Sequence, residues 1–177
     1  MMNSALLCES DIDLTEIING EEVMGPSPLR AHQRVVFELS YAMGSYAKER
    51  GIGEVDIAPL DVILEEGMNR LQPDVIFIRK ENLSIAQDWV RGVPDLVVEV
   101  VSKGSVARDT VTKKDIYERY GVEEYWLVFA ELQTIEVFVL DGGRYGLFSV
   151  AEGEGTVRSR VLEGFEVAIG KIFGSAL

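Results

Sequence analysis

One cysteine and one histidine occur in 177 residues. With only Cys8 available, an internal disulfide and a cysteine zinc cage are both excluded. Cys8 itself lies in an acidic stretch and carries no catalytic signal. Basic side chains are also short: 17 Lys and Arg face 30 Asp and Glu, for a net charge of -13. Non-specific affinity for nucleic acid rests on neutralising phosphates with basic side chains. The composition therefore argues against a nucleic-acid partner unless those residues cluster, but not against an enzyme that reaches phosphates through metal ions. No apolar run approaches the roughly 20 residues of a membrane-spanning helix. The opening MMNSALLCESDIDL has no basic stretch, so no signal peptide is expected and the cytoplasm is the expected setting. Internal repeats, low-complexity linkers, a P-loop and a Rossmann glycine pattern are all missing. What remains is ordinary globular material, 47% hydrophobic and 27% charged, long enough for one domain with a real core.

The first twenty or so residues are acidic and weakly patterned, with Asn19 and Gly20 as a turn signal. Residues 1–25 are expected to pack as a segment on a single domain spanning 26–177. A stiff loop over 25–28 precedes a helix predicted over 29–50, with Val35, Val36, Leu39, Ala42, Met43 and Tyr46 at helical spacing and Gly51 as its stop. Strand signals follow over 54–64 and 73–78, then a polar insertion over 79–92 with room for a short helix. The run PDLVVEVV over 94–101 reads as a central strand buried on both faces. A second helix is predicted over 106–120, stopping at Gly121. Strands over 125–129 and 134–140 come next, and a hairpin turn at 141–143 leads to a strand over 145–150. One more apolar stretch covers 161–173. This order makes a mixed α/β domain with a partly antiparallel sheet.

A glutamate inside the most hydrophobic strand is the informative feature. Glu99 sits in LVVEVV, and a lone carboxylate between packed faces needs a partner or a metal; a salt bridge at a sheet edge is the plainer alternative. Asp95 points the same way but lies roughly 13 Å along the strand, too far to share an ion, and it reads as a residue that merely starts a strand. Asp74 opens the preceding strand. If the two strands pair antiparallel, Asp74 falls beside Glu99 and forms a site for a hard divalent cation. On the second helix Asp109, Lys113 and Tyr117 share a face, and Lys113 lies near the apolar side of Ile116 and Tyr120. Lys113 can then approach the carboxylate pair; the alternative is a snorkelling lysine paired with Asp109. Two carboxylates and a lysine around a metal suit phosphodiester hydrolysis. His32 lies at one end of the first helix's apolar stripe, where a packed or capping role outweighs that of a ligand. Glu21 is a weaker candidate, with an exposed loop carboxylate as its alternative.

Seven segments, SPLRAHQRVV, APLDVIL, QPDVIFI, GVPDLVVEVVS, DTVTKKDIYERYGV, EEYWLV and VLEGFEVAIGKIF, span about residues 26 to 173. In this order they resemble the Uma-two family of bacterial restriction endonucleases and the wider PD-(D/E)xK nuclease superfamily. The resemblance implies a restriction-endonuclease-like αβββαβ core with a mixed sheet, here with an extra C-terminal β-hairpin. It also implies a Mg²⁺- or Mn²⁺-dependent endonuclease acting on phosphodiesters, with DNA as the expected substrate. Carried over by position, the two acids fall on Asp74 and Glu99. The lysine expected two residues beyond the second acid is Val101 here, and the matching lysine is Lys113, four before Tyr117. The loop after Glu99 reads Ser102, Lys103, Gly104, Ser105 rather than the family's Ser-Pro-Ser, which offers Lys103 as another cation. A homodimer is expected, gathering Arg30, Arg34, Arg79 and Lys80 around one cleft. The alternative is a non-catalytic binding or interaction protein that keeps the fold, with Asp74, Glu99 and Lys113 as a buried ion-pair network.

Overall fold

The computed structural model describes residues 14–25 and 27–174; Cys8 with the rest of 1–13, Pro26 and 175–177 lie outside the described residues. A hairpin comes first. β1 (Thr15–Ile18) and β2 (Glu21–Met24) pair antiparallel about Asn19 and Gly20, at φ 52° and 83°. Two successive left-handed residues match the twist of a two-residue hairpin, and Asn-Gly tolerates them best. The turn signal was therefore sound, while the flanking strands escaped the hydropathy pattern because β2 is largely exposed.

α1 (Arg30–Arg50) buries Val35, Val36, Leu39, Met43 and Ala47 and ends at left-handed Gly51, whose N–H reaches the Ala47 and Lys48 carbonyls. β3 (Gly53–Ile57), β4 (Val62–Glu65) and β5 (Asn69–Leu71) follow. The strand signal over 54–64 thus splits into two elements of different sheets, and the break contains Pro59, which has no N–H to donate to a ladder. After β6 (Val75–Arg79) the polar insertion holds a 3₁₀ turn (Lys80–Ile85) and β7 (Val90–Arg91). β8 (Leu96–Val101) has all six residues buried. The helical segment over 106–120 contains a π turn (Arg108–Lys113) leading into α2 (Lys114–Tyr120). β9 (Glu124–Phe129), β10 (Thr134–Asp141) and β11 (Arg144–Glu152) come next, then β12 (Thr156–Arg158), β13 (Glu166–Ala168) and α3 (Ile169–Phe173).

The main sheet runs β11-β10-β9-β8-β6-β3; β8 and β9 are parallel and every other pair is antiparallel. A second sheet, β2-β1-β5-β4-β7, carries the N-terminal hairpin. Even positions of β8 (Leu96, Val98, Val100) join the core under α1, together with Leu162, Phe165, Ile172 and Phe173 from the chain's end. Odd positions (Val97, Val101) join a second core with Ile116 and Tyr117 and with Val62 and Leu71 of the second sheet. Period-two alternation therefore sends Glu99 to the α2 side. The sequence α1, β3, β6, β8, α2, β9 is the expected αβββαβ core with a mixed sheet, and β10–β11 is the expected extra hairpin.

Candidate functional site

Strand register brings the two acids together. β6 and β8 pair as Val75↔Val98, Ile76↔Val97 and Phe77↔Leu96. One further step sets Asp74 opposite Glu99, a position where Cβ atoms lie roughly 5 Å apart. Backbone pairing gives way there to a side chain: the Val100 N–H donates to Asp74 Oδ2 at 2.7 Å. The Asp74 carbonyl accepts from the Ala58 N–H at 3.2 Å. Asp95 lies at the other end of β8, where it accepts from the Arg79 backbone N–H and guanidinium, both at 2.7 Å, and from Asn82. It is a structural strand-starter, as the sequence suggested.

Glu99 is 4% exposed. Its Oε1 accepts from Lys113 Nζ at 2.9 Å and from the Tyr117 hydroxyl at 2.8 Å. Lys113 Nζ also lies 2.8 Å from Glu16 Oε1, which in turn accepts the Gln72 N–H at 2.8 Å. Lys113 therefore bridges β8 and the N-terminal hairpin, and Glu99 and Glu16, not Asp109, are its closest carboxylates. Asp109, Lys113, Ile116 and Tyr117 are all buried along one face of the helix. A π turn lies directly N-terminal to α2, a distortion that recurs at functional sites. The Tyr125 hydroxyl donates to the Asp109 carbonyl at 3.0 Å and ties this turn to β9.

His32 reaches the same place from α1, its Nε2 3.3 Å from Asp74 Oδ2. Among the described residues its buried Nδ1 has no hydrogen-bond partner. Lys103 lines the same cleft but is 83% exposed at its side chain and pairs with Glu131 at 3.2 Å, so it does not join the carboxylates. Glu21 is exposed on β2 and does not line the cleft. The N-terminal acid that matters is Glu16, which the sequence reading missed. Its signal was the TEII-NG-EEVM hairpin pattern around a turn already noticed.

Negative charge is crowded here. Burial raises the Glu99 carboxyl well above its ordinary range; the Lys113 charge opposes this, and Asp109, Asp74 and Glu16 add to it. Burial likewise raises Asp109, against the pull of Lys113, the Ser105 hydrogen bond and Arg108. Burial works to lower Lys113, but the charges of Glu99, Glu16 and Asp109 overcome it and hold the ammonium above its usual pKa. Lys113 stays charged at neutral pH. Burial also works to lower His32, and the hydrogen bond and charge of Asp74 with the Val100 carbonyl outweigh it, so its pKa is raised.

These groups form the floor of a cleft of about 720 Å³, in the range that holds one small ligand. Asp74, Glu99 and Asp109 repel one another across a half-enclosed space with one fully buried ammonium among them. That donor set suits a hard divalent cation, which would relieve the repulsion. Among the described residues no three His, Cys, Asp or Glu side chains stand close enough to hold an ion alone. Mg²⁺ commonly takes one or two carboxylates and completes its shell with water and substrate phosphate, so two acids are sufficient.

The family model Uma2, "Putative restriction endonuclease", matches residues 5–170. The chain belongs to the Uma2 family. A search of curated proteins found no match. Among solved structures, this Uma2 chain is similar to "a putative nuclease belonging to DUF820 from Anabaena variabilis ATCC 29413", with TM-score 0.76 and 18% identity over 92% of this chain and 91% of that one. At that identity the likeness establishes the fold. The type IIG restriction endonuclease BpuSI also aligns, at TM-score 0.42 and 13% identity, over 89% of this chain and 18% of that much longer one. The chain therefore shares the fold of that DUF820 structure, and no helix among the described residues is long and apolar enough to cross a membrane.

Proposed function

We infer that this Uma2 protein is a divalent-metal-dependent endonuclease that hydrolyses phosphodiester bonds in nucleic acid, in the cytoplasm. The observation that carries the reading is the convergence of Asp74, Glu99 and Lys113 on the floor of one cleft. Asp74 and Glu99 are the residues to hold Mg²⁺ or Mn²⁺. When bound, such an ion polarises a phosphoryl oxygen and activates water. The remaining roles belong to the chain. Lys113, held between the Glu99 and Glu16 carboxylates, is the donor placed to offset charge developing on the phosphoryl oxygens. Glu16 holds that ammonium from the hairpin side, and Tyr117 holds the Glu99 carboxylate. His32 orients Asp74. DNA is the substrate implied by the family, and a homodimer belongs to the same proposal. Its supposed basic surface is thinner than expected, because Arg34 pairs with Glu38, and Arg79 with Asp95 and Glu123.

One observation favours the second reading, a non-catalytic protein that keeps the fold: Lys113 is already enclosed by Glu16 and Glu99. Calorimetry with Mn²⁺ on wild type and on Asp74→Asn/Glu99→Gln separates the two. Binding that disappears in the double variant, with the variant still folded, supports the nuclease. Loss of folding without any wild-type metal binding supports the ion-pair network.

A further inference from the structure

The substrate class can be narrowed, an inference that rests on the nuclease reading. Residues 1–13, Pro26 and 175–177 contain no Lys or Arg, so every basic side chain of the chain lies in the described part. Of these, Lys103, Arg108 and Lys113 line the cleft. Lys113 is enclosed by two carboxylates, and Lys103 pairs with Glu131. Arg108 is different. It lies 4.0 Å from Asp109, and its buried Nε makes no hydrogen bond. One guanidinium thus remains as a ready phosphate anchor. Proteins that grip a duplex by its backbone typically make 6–10 phosphate contacts. Among the described residues nothing in this cleft provides them.

The outer part of the cleft carries an apolar group beside the exposed Lys103–Glu131 pair. Leu29, Val106 and Leu132 are all large, exposed hydrophobic side chains, and all three line it. Exposed apolar side chains gathered at one groove mark a ligand surface. An ionic floor with exposed apolar side chains above it matches an unpaired nucleotide: a base against those side chains and its phosphodiester below. Enzymes that act on single bases receive them in this way. We propose that the cleft accepts one unpaired nucleotide step of a single strand, with Arg108 on a phosphate and Leu29, Val106 and Leu132 on the base, and that it excludes paired duplex.

The test compares Mn²⁺-loaded wild type on a short single-stranded DNA, the same sequence as RNA, the matching DNA duplex, a dinucleotide and bis(4-nitrophenyl) phosphate. Expected are kcat/KM values about 100-fold higher on a single strand than on the duplex. The slope of log kcat/KM against log KCl should be about -0.7, the value for one neutralised phosphate on a single strand. The two single strands show which sugar is preferred. Leu29→Ser/Leu132→Ser changes exposed positions only, and it should raise KM for the single strand about 10-fold with kcat nearly kept. Equal or faster cleavage of duplex, a slope near -5 or steeper, or an unchanged KM in that variant overturns the inference and leaves the nuclease reading intact. No hydrolysis of any of the five substrates overturns the nuclease reading, and this inference falls with it.

Discussion

Glu99 and Glu124 sit on neighbouring parallel strands, 4% and 0% exposed, in opposite surroundings. Glu124 is met by neutral donors: Trp126 Nε1, the Ser159 hydroxyl and the Arg160 N–H, each at 2.6 Å, and the Val161 N–H at 2.9 Å. The Ser159, Arg160 and Val161 contacts fasten the segment after β12 onto β9, and Glu124 does not line the cleft that holds Glu99. Glu99 is met by an ammonium, a phenol and the fields of three other carboxylates, and it faces a cleft. Burial alone therefore does not mark a functional carboxylate. Like charges left in repulsion beside an opening are the stronger pointer.

The contrast can be broken experimentally. The largest effect is expected from Lys113→Ala, which leaves Glu16 and Glu99 buried without their cation; removing one partner of a buried pair costs about 3–5 kcal/mol. Adding Glu16→Gln should recover part of that loss, and a urea-denaturation double-mutant cycle reads the coupling. Strict additivity would mean the pair is not a unit. Next comes Glu124→Ala, which strands four donors and should cost about 2–4 kcal/mol. Metal binding should be unchanged in that variant by calorimetry. A loss of binding there would erase the distinction between the two glutamates.

Glu99→Gln sharpens the comparison from the other side. It removes one of the repelling charges and keeps an acceptor for Tyr117, so stability should stay within about 1 kcal/mol of wild type. Mn²⁺ affinity should fall at least about 10-fold. A variant that unfolds instead would place Glu99 with Glu124 as a structural residue. The smallest effect belongs to Glu118, near the surface, which accepts the Tyr145 N–H at 2.6 Å and an Arg144 contact. The Tyr145 N–H, against slight desolvation and with help from Arg144, holds its carboxyl below the ordinary 4.5. Folding stability from this contact is therefore complete above pH 4.5 and disappears as pH falls through the lower folded value. Glu118→Gln should flatten the acid limb of the stability profile slightly and leave the neutral region unmoved.

Much of the site was legible in the chain. The Asp74–Glu99 pairing followed from counting along two adjacent strands, because antiparallel register is arithmetic once the strands are identified. Lys113 followed from helical spacing, and it survived the π turn just before α2 because the whole face remains buried. Two Pro-Asp dipeptides looked alike, and only their position on the strands separates them: Asp74 reaches the cleft and Asp95 reaches Arg79. For Glu16 the hairpin pattern gave the strand but not the partner. Glu16 is 56 residues from Gln72 and farther still from Lys113, and its strand has no hydropathic signature strong enough to announce a role.

Local period and strand counting were enough for the order of helices and strands and the two-sided burial of β8, and for which acids face one another once β6 and β8 pair antiparallel. Packing between distant elements settled that the N-terminal hairpin delivers a second carboxylate to Lys113, that His32 turns toward Asp74 rather than away, and that exposed apolar side chains stand over an ionic floor. Those features arise where separate sheets and helices meet, and no periodicity within one segment encodes the position of another.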